Sequence, residues 1–205
     1  MNERNPAAAA IVLASSSPRR QELVRLLGLP VIVRPSDADE STPADWTPQR
    51  IVEELSLRKA LAVSRTLEPA ADGALQIVLG SDTVVALDGE AMGKPSDAAD
   101  AASMLRRLSG RTHEVYTGVT CLDPATGRTV TAHRVTRVRM KELTPDRIAR
   151  YIETGEPMDK AGAYAVQGIG SLLVDGIEGC FFNVVGLPVS LVADMLEKTF
   201  GLRFP

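Results

Sequence analysis

Two short stretches place reactive side chains where the surrounding pattern calls for apolar ones. In the first, Ser15-Ser16-Ser17-Pro18-Arg19-Arg20 follows an apolar run ending at Ala14. A strand, a hydroxyl-rich turn and a helix start carrying two guanidinium groups can form an anion site. The helix N-terminus offers free N–H groups, and arginine grips phosphate oxygens as a fork. An ordinary capped helix with two solvated arginines is the plainer reading of the same residues. In the second, Gly80-Ser81-Asp82-Thr83 interrupts an Ile, Val and Leu-rich run extending to Leu87. A carboxylate there is costly unless it is paired, hydrogen-bonded or metal-bound. An aspartate capping a β-bulge is the alternative.

Further candidates gain weight only together. Asp39 and Glu40 lie in an acidic loop, Lys59 in a helical segment, and Lys94 in Gly93-Lys94-Pro95. Singly, each reads as solvated surface. Jointly they supply what a magnesium triphosphate requires, carboxylates for a hard cation and cations for phosphate oxygens. The segment from Gly155 to Gly168 is glycine-rich, which signals a tight loop or a close ligand approach. Within it, buried Asp159 and Lys160 can pair with each other. Gln167 can read a base edge, since an amide both donates and accepts, or it can stabilise the loop. His113 and His133 fall inside strands and read as structural. Cys121 and Cys180 lack zinc-site spacing and read as core thiols in a reducing compartment.

The elements that must position these groups follow from apolar periodicity and turn residues. Residues Ala7 to Ala10 read as a floppy lead and Ile11 to Ala14 as a strand, giving a flexible segment over 1–10 and one domain over 11–205. Ser17 and Pro18 start a helix that stops at Gly28, Val31 to Val33 is a strand, and Thr47-Pro48 starts a helix to about Leu67. Gln76 to Leu87 is strand-like, with Asp88-Gly89 as a hairpin turn. Ser96 caps a helix through Leu108. Thr112 to Leu122 and Thr129 to Met140 are long strands, Thr144 to Thr154 is a short helix, a hairpin is expected around Asp175-Gly176, and Pro188 to Phe200 is a last helix. Helices that alternate with both hairpins and single strands imply a mixed α/β sheet.

With 205 residues, 44% of them hydrophobic, the chain can bury one core or two lobes around a cleft. A formal charge of -3 argues against a nucleic-acid-coating surface, which needs clustered Lys and Arg. The longest apolar run, Ala7 to Ala14, is far short of the ~20 residues that span a bilayer. Neither a membrane nor a nucleic acid is therefore an expected partner.

Five motifs in order, Leu13-Ala14-Ser15-Ser16-Ser17-Pro18-Arg19-Arg20-Gln21-Glu22-Leu23, Gly80-Ser81-Asp82-Thr83-Val84, Gly93-Lys94-Pro95, Asp159-Lys160-Ala161-Gly162-Ala163-Tyr164 with Gln167-Gly168, and Asn183-Val184-Val185-Gly186-Leu187-Pro188, closely resemble the Maf family. The resemblance implies an elongated mixed sheet with two lobes flanking a nucleotide cleft, related in fold to the inosine triphosphate pyrophosphatases. It implies a cytoplasmic homodimer that hydrolyses nucleoside triphosphates to monophosphate and pyrophosphate. In that reading Asp82 is the proton acceptor, and Glu40 and Asp82 hold a divalent cation, Mg or Mn. Ser15, Arg19, Arg20, Lys59, Lys94 and Lys160 line the substrate pocket. Arg19, Thr83 and Gln167 match the subgroup that hydrolyses dTTP and UTP. A nucleotide-binding regulator of cell division and septum formation, and a pyrophosphatase for a methylated purine nucleotide such as 7-methyl-GTP, are the competing readings.

Overall fold

The computed structural model describes residues 9–68 and 74–205. The elements in chain order are β1 (Ala9–Leu13), α1 (Pro18–Arg25), β2 (Val31–Val33), α2 (Pro48–Ser64), β3 (Leu75–Leu87), β4 (Glu90–Met92), α3 (Ala98–Leu108), β5 (Thr112–Leu122), β6 (Thr129–Met140), α4 (Pro145–Glu153), β7 (Val174–Glu178), α5 (Phe181–Val185) and α6 (Val189–Phe200), with three 3-10 turns between α4 and β7. One seven-stranded sheet runs β2-β1-β3-β5-β6-β7, and β4 pairs with β3. β1 is parallel to β2 and β3, whereas the β3, β5, β6 and β7 ladders are antiparallel. The mixed α/β sheet expected from the sequence is the architecture found.

Local chemistry accounts for the element ends. Ser17, Thr47 and Thr144 each accept an N–H of the first turn and are each followed by proline at the first helical position. Asp88 and Gly89 both adopt positive φ, the requirement of a two-residue turn whose twist matches the flanking strands β3 and β4.

Several boundaries differ from expectation. β1 begins at Ala9, two residues early, because Ala9 and Ala10 pair with Leu75 and Gln76; residues 1–8 of the lead lie outside the described residues. α2 ends at Ser64, since Thr66 and Leu67 donate to Val63 and Ser64 in tighter turns. Asp97, not Ser96, caps α3: its carboxylate accepts the Asp100 N–H at 2.8 Å, and Asp100 accepts the Ser96 N–H at 2.9 Å in return. There is no hairpin at Asp175-Gly176. That segment is strand β7, held along β6 with a register shift at Arg139/Met140. Cys121 is a core thiol, and burial pushes its pKa up to about 12, but Cys180 is partly exposed before α5.

The core is divided, and β3 carries the division. On one face of the sheet, Leu75, Ile77 and Leu79 belong to a cluster with α1 and α6, while Val85 and Leu87 belong to another with α3 and α4. On the opposite face Val78 and Val84 join two separate clusters, both under α2. Between these apolar ends lie Gly80, Ser81, Asp82 and Thr83, so the interruption in sequence is a polar belt between two lobes.

Candidate active site

The period of two along β3 aims Asp82 at α2 and aims Ser81 and Thr83 at the other face. Register through the belt is unbroken from Val78↔Leu122 to Ala86↔Glu114, so Asp82 caps no bulge. Two glycines let α2 lie directly on the sheet. A Cβ at Gly80 would sit 2.1 Å from Ser56 O, and one at Gly118, the cross-strand neighbour of Asp82, would sit 2.1 Å from Val52 O. This close approach carries Lys59 onto the carboxylate: Nζ donates to Asp82 Oδ1 at 2.6 Å and lies 3.0 Å from Glu40 Oε1. The Lys59 and Asp82 side chains are only 10% and 11% exposed, whereas Glu40 is 60% exposed. Buried ions of this kind persist because they are paired.

On the other face, Arg20 is built into the wall of the same cleft. Its Nε donates to Gly186 O at 2.9 Å, Nη2 to Thr83 Oγ1 at 3.0 Å, and Nη1 reaches Ser15 Oγ at 3.5 Å. Thr83 is bonded to its cross-strand partner Thr117 at 2.9 Å, and Thr117 donates to Asn183 O at 2.9 Å. Ser81 donates to Gly186 O at 3.2 Å. Burial pulls the Arg20 pKa below its ordinary value, with Asp82 opposing and Arg19 adding to the shift. Arginine nonetheless remains a cation. A poorly hydrated guanidinium facing a cleft is suited to an anion.

The second lobe supplies the remaining wall. Asp159 and Lys160 form an ion pair, but the Asp159 side chain is 73% exposed, so the pair is not buried as the sequence suggested. Desolvation works against the Asp159 charge, yet Lys160 and then Arg19 outweigh it and hold its pKa below the usual range. Lys94 and Gln167 are exposed at the cleft edge. The Gly162 N–H donates to Gly93 O at 3.0 Å, which ties the Lys94 loop to the Lys160 loop. Tyr164 also faces the cleft and is bonded at 2.7 Å to buried His113, whose pKa desolvation pushes down to about 4.

Ser15, Arg19, Arg20, Glu40, Lys59, Asp82, Thr83, Lys94, Lys160 and Gln167 line one cleft of about 830 Å³, whereas Asp39 does not line it and its carboxylate accepts the Ser41 N–H at 2.9 Å and O–H at 2.7 Å. Five of its lining residues are cationic and three are carboxylates, in a chain whose formal charge is -3. Positive charge is therefore concentrated here. His113 and His133 stay outside it; His133 pairs with Glu53 at 2.7 Å. Thr117 was not singled out from the sequence, and Asn183 and Gly186 stand in the fifth motif with no role assigned, yet all three support Arg20. Their signal is faint, a threonine at a buried strand position and an amide in an otherwise apolar helix.

Among the described residues, no group of three or more His, Cys, Asp and Glu side chains could hold a metal. Two carboxylates, Asp82 and Glu40, do converge on Lys59. Such a donor set fits a hard cation that keeps its waters and borrows phosphate oxygens, the usual habit of magnesium. Also among the described residues, no helix is long and apolar enough to cross a membrane.

A family model described as Maf-like protein matches residues 10–199. The chain is 48% identical over 193 residues to a dTTP/UTP pyrophosphatase of Desulforamulus reducens, covering 94% of this chain and 97% of that protein. It is 51% identical to those of Pelotomaculum thermopropionicum, with 93% and 96% covered, and Moorella thermoacetica, with 94% and 95% covered. Among solved structures, the Staphylococcus aureus Ham1 protein aligns with a TM-score of 0.47 and 16% identity over 64% of this chain and 71% of that one.

Proposed function

The chain belongs to the Maf-like family, and we propose that it hydrolyses dTTP and UTP to the monophosphate and pyrophosphate at the cleft between its lobes. The observation that carries the reading is the meeting, in one cation-rich cleft, of the buried Asp82–Lys59 pair with the Arg20 clamp. Cleavage of a phosphoanhydride demands positioning and charge stabilisation more than a side-chain nucleophile.

In this mechanism Asp82 accepts the proton of the attacking water through Oδ2, the oxygen that Lys59 does not engage. Lys59 holds the carboxylate in place and lends positive charge to the reacting phosphate. Arg20 and Arg19 grip the triphosphate, with Lys94 and Lys160 closing on it from the second lobe, and Ser15 orients Arg20. Thr83, fixed between Arg20 and Thr117, shapes the pocket, while Gln167 meets the pyrimidine edge. Asp82 and Glu40 would hold a divalent cation, Mg or Mn, which would neutralise charge on the phosphates. A homodimer in the cytoplasm completes the proposal on the strength of the family resemblance, and sedimentation velocity would decide the oligomeric state.

The test is pyrophosphate release from dTTP, UTP, CTP, GTP and 7-methyl-GTP with magnesium or manganese, alongside Asp82→Asn. Rapid release from dTTP and UTP that depends on Asp82 is the expected result. Release chiefly from 7-methyl-GTP would transfer the chain to methylated purines. Binding without release would make it a nucleotide-responsive regulator.

A further inference from the structure

Gln167 sits in a loop held by two side chains that are not among those lining the cleft, Tyr151 of α4 and Glu156 just beyond it. Glu156 Oε1 accepts the Gly170 N–H at 2.7 Å and the Tyr151 O–H at 2.9 Å, and Oε2 accepts the Ile169 N–H at 2.9 Å. The Tyr151 oxygen in turn accepts the Ala165 N–H at 3.2 Å. Backbone is therefore fastened at 165, 169 and 170, on both sides of Gln167. The packing leaves no slack. A Cβ at Gly168 would lie 2.6 Å from Glu156 Oε2, and one at Gly170 would lie 2.5 Å from the Tyr151 hydroxyl. Desolvation opposes the Glu156 charge, but the Gly170 and Ile169 N–H groups and the Tyr151 hydroxyl outweigh it and hold the carboxyl below its ordinary value.

We propose that Glu156 and Tyr151 are positioning residues for base discrimination: they set the path of residues 165–170 and thereby the place where this segment meets the nucleobase. The inference rests on the reading of the cleft as a pyrimidine nucleotide site. Three donors converge on two oxygens of Glu156, so the position requires a carboxylate. A glutamine would present its NH₂ to at least one of those donors, and the loop would have to move away from it. Tyr151 is needed because its oxygen both donates to Glu156 and accepts from Ala165, which phenylalanine cannot do.

The experiment is steady-state kinetics on UTP and CTP, which share the triphosphate and differ at the base edge, for the full-length chain and for Glu156→Gln, Tyr151→Phe and Gln167→Ala. For Glu156→Gln, the UTP to CTP ratio of kcat/KM falls about tenfold or more, the magnitude of one lost charge-assisted hydrogen bond. The fall comes through KM, with kcat on UTP nearly unchanged. Equal losses on both nucleotides, or a lower Tm with the ratio preserved, would overturn the proposal. A lowered ratio in Gln167→Ala with an unchanged one in Glu156→Gln would overturn it while leaving the Gln167 reading intact. The reverse pattern would support it and assign the contact to the backbone of this segment instead of the Gln167 amide. Should Glu156→Gln fail to fold, Tyr151→Phe, which removes a single hydroxyl, carries the same comparison.

Discussion

Lys59 Nζ lies 2.6 Å from Asp82 Oδ1 and 3.0 Å from Glu40 Oε1, so a single ammonium joins helix α2, strand β3 and the acidic loop before α2. The proposed catalysis and the stability of the fold are thereby coupled at one residue. Asp82→Asn keeps the shape and removes the base; turnover falls roughly 10²- to 10⁴-fold, while calorimetry still detects nucleotide binding. Lys59→Met leaves the Asp82 carboxylate buried without its cation and destabilises the fold by about 3 kcal/mol. The double variant recovers much of that loss, because no unpaired ion remains. Urea midpoints for the four proteins give the coupling, and strictly additive effects would show that the pair is not an energetic unit.

The approach of α2 to the sheet is set by Gly80 and Gly118, and so is the reach of Lys59. In Gly80→Ala the new Cβ meets Ser56 O at 2.1 Å, which only movement of backbone can relieve. We expect a loss of about 1–3 kcal/mol, the range for overpacking in a tight core, together with a lower kcat as Lys59 is lifted from Asp82. Thermal unfolding and kinetics on the same preparation check both. A stability loss with kcat intact would separate helix seating from catalysis.

These glycines also show how far sequence could lead. The belt Gly80-Ser81-Asp82-Thr83 was visible because polar residues inside an apolar run are costly, and the Ser15–Arg20 turn was visible because Ser17, Pro18 and two arginines form a local pattern. The expected mixed sheet and both long hairpin strands are likewise local signals of turn and alternation. The Tyr151–Glu156 bracket and the Thr117–Asn183 support of Arg20 were not legible. Each joins residues whose meaning arises only when distant backbone segments meet, as Glu156 does with Gly170. The supposed hairpin at Asp175-Gly176 failed for the same reason: pairing with β6 overrode the local turn preference.

Arg20 reaches Gly186 O through Nε and Thr83 Oγ1 through Nη2 at the same time, which requires a planar fork. In Arg20→Lys a point charge can keep at most part of this arrangement, so the cation is no longer aimed. KM for UTP rises roughly 10- to 100-fold, in keeping with loss of one or more charged hydrogen bonds, and circular dichroism stays unchanged. An unaltered KM would remove Arg20 from triphosphate binding.

His113 is 2% exposed, its Nε2 is bonded to Tyr164, and its Nδ1 has no hydrogen-bond partner among the described residues. Desolvation pushes its pKa from 6.5 down to about 4. The folded chain therefore takes up a proton less readily than the unfolded chain between those values, and the unfolded state gains as pH falls. Stability attributable to His113 is intact above pH 6.5, declines as pH drops below it, and levels off below about 4. The full effect is roughly 3 kcal/mol. Carboxylates with depressed pKa values, such as Glu156, act mainly at the acid end of this range, so from 6.5 down to about 5 the difference between the chain and a variant lacking only this histidine reports His113. His113→Phe should lower overall stability by orphaning the Tyr164 hydroxyl, yet flatten the pH dependence in that interval. Urea midpoints measured across it for both proteins decide the matter. An equally steep slope in the variant would assign the acid sensitivity to other groups.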